Sequence, residues 1–236
     1  MPANYMKDMI HYFLFIGFPY LMLVLAVLVS IIRYRYTPFS FSSLSSQFLE
    51  NEQLYWGSNL WHWGIVWVLL GHLFAFLLPR QIIAWNAAPL RLFLLEATGL
   101  IAGLLALVGL VGLLIRRLTN ARVKVVTSKM DIFILLLLLF QVATGVHTAI
   151  AYRWGSSWYA TNAAPYLQSL FLFSPKPDFI MTMPWVVKLH MLNAFFIIGM
   201  IPFTRLVHFL VVPLHYLWRR PQVVIWNRRP DPKTGR

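Results

Sequence analysis

The stretch SNLWHWGIVWVLLGHLF, residues 58–74, sets His62 and His72 in a run that contains no other ionisable side chain. Its apolar character extends over residues 55–78, and about 20 helical residues are enough to cross a hydrocarbon core of roughly 30 Å. Because an ionisable side chain at membrane depth is costly, it marks a candidate functional site. The stretch therefore predicts a membrane-spanning helix on which two histidines have a functional role.

The composition of the whole chain agrees with a membrane protein. Hydrophobic residues make up 59% of the 236 residues and charged residues only 11%, whereas about a quarter of the residues in soluble domains are charged. Four further stretches reach spanning length, at 10–32, 92–115, 132–152 and 185–212. Backbone groups in lipid must be satisfied within the segment, so each stretch is predicted to be a helix. We expect an all-α five-helix membrane bundle over residues 1–220, followed by a basic tail over residues 221–236.

The positions of the basic residues predict the orientation. Thirteen lysines and arginines lie in the loops after the first and third spans and in the sequence after the fifth span, and six lie on the opposite side. Basic loops stay in the cytoplasm, so the N-terminus should be outside and the C-terminus inside. The net charge of +13 is spread over short flanks of apolar helices, which argues against nucleic-acid binding. The tail is better suited to anionic lipid or an acidic partner.

Two more histidines, His190 and His208, lie in the fifth span. Because the second and fifth spans run in opposite directions, His62 should be level with His208, and His72 with His190. Eighteen residues are five complete helical turns, so the two histidines of the fifth span share a face in an ideal helix. Their rise of about 27 Å exceeds the rise of about 15 Å between the histidines of the second span. A bend at Pro202 could absorb this difference.

Two matched histidine pairs are suited to two bis-histidine haems, because imidazole is a good ligand for haem iron. Hydrogen bonding between helices is the alternative. The chain has no cysteine, which excludes thioether-linked haem and cysteine-ligated clusters within it, and its seven acidic residues and lack of HExxH argue against other metal sites. His11 and His215 should be interfacial. His147 is ambiguous, because near the outer end it could bond either a neighbour or a ligand.

Several runs of residues resemble the cytochrome b (gamma) subunit of membrane-bound respiratory nitrate reductases. The histidine spacings of ten and eighteen match that family, and the resemblance covers about residues 10–220. The runs are RYRY at 33–36, SSQ at 45–47, SNLWH at 58–62, GH at 71–72, RVK at 122–124 leading to Asp131, and PFTRLVH at 202–208.

The resemblance implies a subunit of the cytoplasmic (inner) membrane that oxidises quinol near an outer haem b and passes electrons inward. The electrons would go to an iron–sulfur subunit and then to a molybdenum catalytic subunit on the cytoplasmic face. By the same resemblance, His72 and His190 hold the outer haem, and His62 and His208 hold the inner haem. Arg205 would meet a haem propionate, with an interhelical arginine as the alternative.

At the quinol site the chain departs from the family pattern. Gly71 and His72 should line the site, but the family's lysine aligns on or beside Leu92. Arg91 is the nearest base and takes that role as a hypothesis. The aromatic segment 153–184 should cover the outer face, with its rings as interfacial anchors.

Two other readings stay open. The first is a related quinol-linked diheme subunit of a sulfite-reduction or heterodisulfide-reductase complex. The second is a haem-free transporter or membrane anchor whose histidines relay protons or only pack. The scarcity of intramembrane carboxylates and the lack of an obvious internal repeat argue against a transporter.

Overall fold

The computed structural model describes Met6, residues 9–37 and residues 52–211, which form helices and turns with no strand among them. In chain order the helices are α1 (Met9–Tyr36), α2 (Glu52–Leu77), α3 (Pro79–Asn86), α4 (Pro89–Thr119), α5 (Ala121–Val125), α6 (Lys129–Ala151), α7 (Gly155–Trp158), α8 (Ala164–Phe171), α9 (Asp178–Met181) and α10 (Trp185–Met200). Five of them, α1, α2, α4, α6 and α10 with the turn that follows it, are long and apolar enough to span a membrane. The prediction of an all-α membrane bundle is therefore confirmed.

The fifth span departs from the continuous helix that the sequence predicts. The α-helix ends at Met200, a 3₁₀ turn covers Ile201–Phe203, and Thr204 is extended, with φ −123° and ψ 178°. A second 3₁₀ segment, Arg205–Val211, then carries His208. Proline lacks the N–H that would continue the helix, and its ring clashes with the preceding turn. Consequently, His190 and His208 do not lie on one regular helix.

Short helices close one end of the bundle, where the sequence predicts only loops. We call α3 and α7 to α9 the cap. Prolines at the first helical positions of α3 and α4 start both helices, because the missing N–H would be unpaired there in any case. A π-helical turn, Tyr159–Ala163, joins α7 to α8. The cap thus forms an ordered layer over the ends of the spanning helices.

The spanning helices pack in the order α2, α4, α6, α10, α1. The α2–α4 contact is the most extensive and brings the two backbones together through residues without large side chains. A Cβ atom added to Gly64 would lie 2.6 Å from the carbonyl oxygen of Ala102, and one added to Gly109 would lie 2.8 Å from that of Gly57. Small residues allow this close approach in membrane helices, where dispersion contacts replace the hydrophobic effect.

The other side of the bundle has a core of large side chains beneath the cap. Phe15 of α1, Phe195 of α10 and Tyr166 and Leu170 of α8 form one buried cluster. The Tyr166 hydroxyl donates to the backbone carbonyl of Phe15, and burial raises the pKa of this phenol far above its ordinary value. Among the described residues, α2 and α10 are not packed neighbours. The two histidine-bearing helices therefore leave a gap between them.

The outer surface of the bundle is apolar. Only 11% to 33% of the residues in the most apolar window of each span are buried inside the protein. Most of the apolar side chains therefore face outward, which is the arrangement expected of helices surrounded by lipid.

The α2–α4 contact predicts different outcomes for two glycines of the same helix. Gly109→Ala should destabilise the bundle by about 1–3 kcal/mol, because the new Cβ meets backbone atoms of α2 that cannot move independently. Gly99→Ala is the matched control, since nothing lies within 4 Å of its Cβ position; it should be neutral, or stabilising by up to about 1 kcal/mol. Thermal unfolding in detergent measures both variants. Equal melting temperatures would contradict the close approach of the two helices.

Candidate functional site

His62 and His208 face each other across the gap between α2 and the segment after α10. Their ring centroids are 6.5 Å apart and the ring planes are inclined at 66°. His62 is exposed and His208 is half-buried. The break at Pro202 to Thr204 lets the chain after α10 return toward α2. The structure thus brings together the first of the two histidine pairs that the sequence predicts to be level.

His72 and His190 lie nearer the cap, His72 on α2 and His190 on α10. No hydrogen bond or ring contact joins them in the described part of the chain. The His72 ring packs edge-on against Tyr159, with ring centroids 5.2 Å apart, whereas His190 is bonded to α6. The rings of the second predicted pair are therefore not in contact with each other, unlike those of His62 and His208.

All four histidines use the same ring nitrogen to bond a backbone carbonyl. A carbonyl oxygen can only accept, so each Nδ1 carries the proton and each Nε2 presents a lone pair. Three of these bonds lie within one helix or turn, and the fourth joins α10 to α6. The Nδ1 to oxygen distances are 2.7 Å for His62 to Ser58, 2.8 Å for His72 to Val68, 2.6 Å for His208 to Arg205, and 3.1 Å for His190 to Gln141.

A polar cluster inside the bundle holds His190, and sequence reasoning missed it. The Gln141 side chain donates from Nε2 to Nε2 of His190 at 3.1 Å. Asn193 fixes the orientation of that amide by donating to its Oε1 at 2.8 Å, and Thr144 Oγ lies 3.0 Å from Nδ1 of His190. A Cβ on Gly145 would come within 3.0 Å of the imidazole. The available signal was the presence of polar side chains in two apolar spans.

Arg205 lies in an ion pair between helices. Its Nε is 2.7 Å from Oδ1 of Asp131, and Arg117 Nη1 is 3.5 Å from Oδ2 of the same carboxylate. Asp131 is only 4% exposed and also accepts from the backbone N–H of Ser128 in a capping box. The interhelical role left open for Arg205 is therefore present. The same residue offers its backbone carbonyl to His208, so the ion pair and the histidine are linked.

The residues predicted for quinol occupy two separate environments. A Cβ on Gly71 would meet no atom within 4 Å, so open space adjoins this residue beside His72. The Arg91 guanidinium instead stacks over Trp85, 5.3 Å from the ring centroid. Within the described ranges, no hydrogen bond, ion pair or ring contact joins Arg91 to Gly71 or His72.

The remaining histidines contact neighbours at the cap end. His147 packs edge-on against Tyr152 with centroids 6.3 Å apart, and His11 Nδ1 lies 3.0 Å from the Met181 sulfur. His215, the run at 45–47 and the tail lie outside the described residues. Within residues 9–37 and 52–211, no three histidine, aspartate or glutamate side chains come together to hold a metal ion.

Comparison with known proteins identifies the family. The sequence model of the nitrate reductase gamma subunit family matches residues 11–227. The chain is 33% identical over 214 residues to the nitrate reductase gamma chain of Bacillus subtilis (strain 168), covering 89% of this chain and 95% of that protein. It is 35% identical over 213 residues to the respiratory nitrate reductase 2 gamma chain of Escherichia coli (strain K12), covering 88% and 93% of the two chains. The chain belongs to the nitrate reductase gamma subunit family and is a multi-pass membrane protein.

Proposed function

We propose that this membrane subunit oxidises quinol near the outer face and passes the electrons through two b haems to iron–sulfur and molybdenum subunits of a nitrate reductase. The proposal includes its location in the inner membrane, with the N-terminus outside, so that the cap lies outside and the arginine-rich end inside. The observation that carries the proposal is the type of hydrogen bond that His62, His72, His190 and His208 share. Each has its Nδ1 proton on a backbone carbonyl, which is the second contact that metal-bound histidines typically make.

The inner pair fits a haem well. A metal ion between two imidazoles, with bonds of roughly 2 Å, would hold the ring centroids roughly 6 Å apart, close to the 6.5 Å between His62 and His208. Since no third protein ligand lies nearby among the described residues, the bound group would have to supply its own remaining ligands, as a porphyrin does. His62 and His208 are therefore assigned to the inner haem. Arg205 is assigned to its propionate side, with Nε already on Asp131.

Haem ligation by the outer pair would need one local rearrangement. His72 has no partner on Nε2 among the described residues, whereas Nε2 of His190 accepts from Gln141. Ligation by His190 would require the Gln141 side chain to release that nitrogen. The backbone carbonyl of Gln141 can keep the Nδ1 proton while the amide moves. His72 and His190 are assigned to the outer haem on this basis.

The haems, when bound, would supply a pair of one-electron carriers. The protein's own part is to place quinol beside the outer pair and to keep its oxidation there. Oxidation of one quinol releases two protons and two electrons. Protons released outside, with electrons moving inward, would make the step electrogenic. Gly71 offers the open space for the quinol ring beside His72, while a role for Arg91 stays a prediction because its guanidinium lies on Trp85.

One observation favours the haem-free alternative. Both ring nitrogens of His190 are bonded to α6, as expected of a histidine that only joins two helices. The same arrangement is not found at His62 and His208, whose rings face each other across the gap. A membrane anchor without haem would therefore explain His190 but not the inner pair.

The histidine assignments predict separate losses of the two haems. His208→Ala should remove the inner haem, keep the outer one, and interrupt transfer to the partner subunit. His72→Ala should remove the outer haem and quinol oxidation together. The haem content per polypeptide and the reduced-minus-oxidised spectrum of the purified complex measure the loss in each variant. His147→Ala is the control and should retain two haems. Two haems in either ligand variant would contradict the pairing.

The ion pair of Arg205 predicts a role for Asp131 in holding His208. Asp131→Asn removes the charge that balances two guanidinium groups, and breaking a buried pair typically costs several kcal/mol, about 3–5 when it is fully buried. We expect a lower melting temperature and a several-fold loss of the inner haem, with the outer haem retained. Asp178→Asn, at an exposed position in α9, is the control. Full occupancy of the inner haem in Asp131→Asn would show that Asp131 does not position His208.

A further inference from the structure

One part of the cap lies along the end of α2 that carries His72. The Tyr159 hydroxyl donates to the backbone carbonyl of His72 at 3.3 Å. Two and a half turns later, the Gln168 side chain donates to the backbone carbonyl of Phe76 at 2.7 Å, and Phe171 packs on the Phe76 ring. The last four carbonyls of a helix have no partner within it. Phe76 is one of these residues, so Gln168 satisfies a terminal carbonyl of α2 and holds the cap against it.

The same segment is fixed from the opposite side by α3 and α4. Glu96 of α4 accepts from the backbone N–H groups of Gly155 and Ser156, at 3.2 and 2.8 Å. Asn86 of α3 donates to the hydroxyls of Ser156 and Ser157, at 3.0 and 2.9 Å. These bonds fix the start of α7, one helical turn before Tyr159. The position of the Tyr159 side chain is therefore set by contacts on both sides.

Tyr159 also begins the π-helical turn Tyr159–Ala163. A π-helical turn adds one residue to the helical turn, and it frequently occurs at functional sites. Here it begins two residues after Ser157, the last residue bonded to Asn86. The start of α7 is fixed on α3 and α4, and α8 carries Gln168. The extra residue shifts the helical register of α8 relative to the start of α7.

The Tyr159 ring meets the His72 ring edge-on, with centroids 5.2 Å apart and planes at 84°. Edge-to-face packing is one of the preferred arrangements of paired rings. The Tyr159 hydroxyl is already a donor to the backbone carbonyl of His72. The ring contact and this hydrogen bond together suit Tyr159 to holding the neighbouring imidazole in place.

We propose that Tyr159 is a positioning residue of the quinol site, acting through His72. It fixes the angle of the His72 imidazole and forms the cap-side wall of the open space beside Gly71. This inference rests on the proposed function, because it assigns the wall of the same site. Part of the quinol site would then be formed by the cap. Tyr159 is about ninety positions away in the sequence from His72, the histidine that it orients.

The test compares Tyr159→Ala, Tyr159→Leu and Tyr159→Phe in the complete complex that contains both haems. Tyr159→Ala removes the ring and should raise the KM for a soluble quinol analogue by up to about tenfold, the change that corresponds to ~1.4 kcal/mol. Both haems should stay present and dithionite should still reduce them. Tyr159→Phe keeps the ring edge and should restore most of the affinity. Tyr152→Ala is the matched control, since it removes an edge-on tyrosine from His147, a histidine outside the two pairs.

The outcomes separate this inference from the proposed function. If wild-type protein is not reduced by quinol at all, the proposed function fails. If wild-type protein is reduced and Tyr159→Ala has an unchanged KM, the role of Tyr159 is overturned while the function stands. If Tyr159→Ala does not fold, Tyr159→Leu decides, because it fills the space without an aromatic edge. An unchanged KM and an unchanged outer-haem spectrum in Tyr159→Leu would then overturn the inference.

Discussion

The close contact of α2 with α4 determines where the histidines of α2 can point. Gly64 and Gly109 have no Cβ, and their backbones touch the facing helix directly. His62 is two residues from Gly64, so at about 100° per residue it lies on nearly the opposite side of α2. Packing α2 tightly on α4 therefore directs His62 away from α4 and toward the gap. The other side of the gap is set by α10, which packs on α6 and α1 instead of on α2.

The fifth span is broken between its two histidines, and His208 beyond the break faces His62, with ring centroids 6.5 Å apart. Proline at position 202 ends the regular helix, and Arg33 of α1 donates to the carbonyl of Pro202. Arg205 then binds Asp131 with its side chain and His208 with its backbone. Charged groups at this end of the bundle thus stabilise an irregular segment. Lipid alone could not accommodate this segment, because unsatisfied backbone groups are costly in a membrane. The cost of that irregularity is offset by contacts from α1 and α6.

The spans and the approach of His62 to His208 could be predicted from the sequence, because they follow from apolar length and from the alternating direction of spans. The contacts of Tyr159, Gln141 and Asp131 could not, since each joins segments far apart in the chain and leaves no periodic signal. Arg205 was chosen from the sequence as a candidate site residue, but its ion pair with Asp131 could not be predicted without the packing of α6. Arg91 was chosen by its position in the sequence, which gives no sign of the contact between its guanidinium and the Trp85 ring. The extended backbone of Thr204 could not be predicted from the sequence either, because it depends on tertiary contacts.

The most direct test of this account is a reduced-minus-oxidised optical spectrum of the purified protein, with haem quantified per polypeptide and a quinol analogue as the reductant. The account predicts two b-type haems per chain, both reduced by the quinol. A properly folded preparation without haem would contradict it and favour the membrane anchor. Two haems that dithionite reduces and quinol does not would contradict the assignment of the site beside Gly71 and His72.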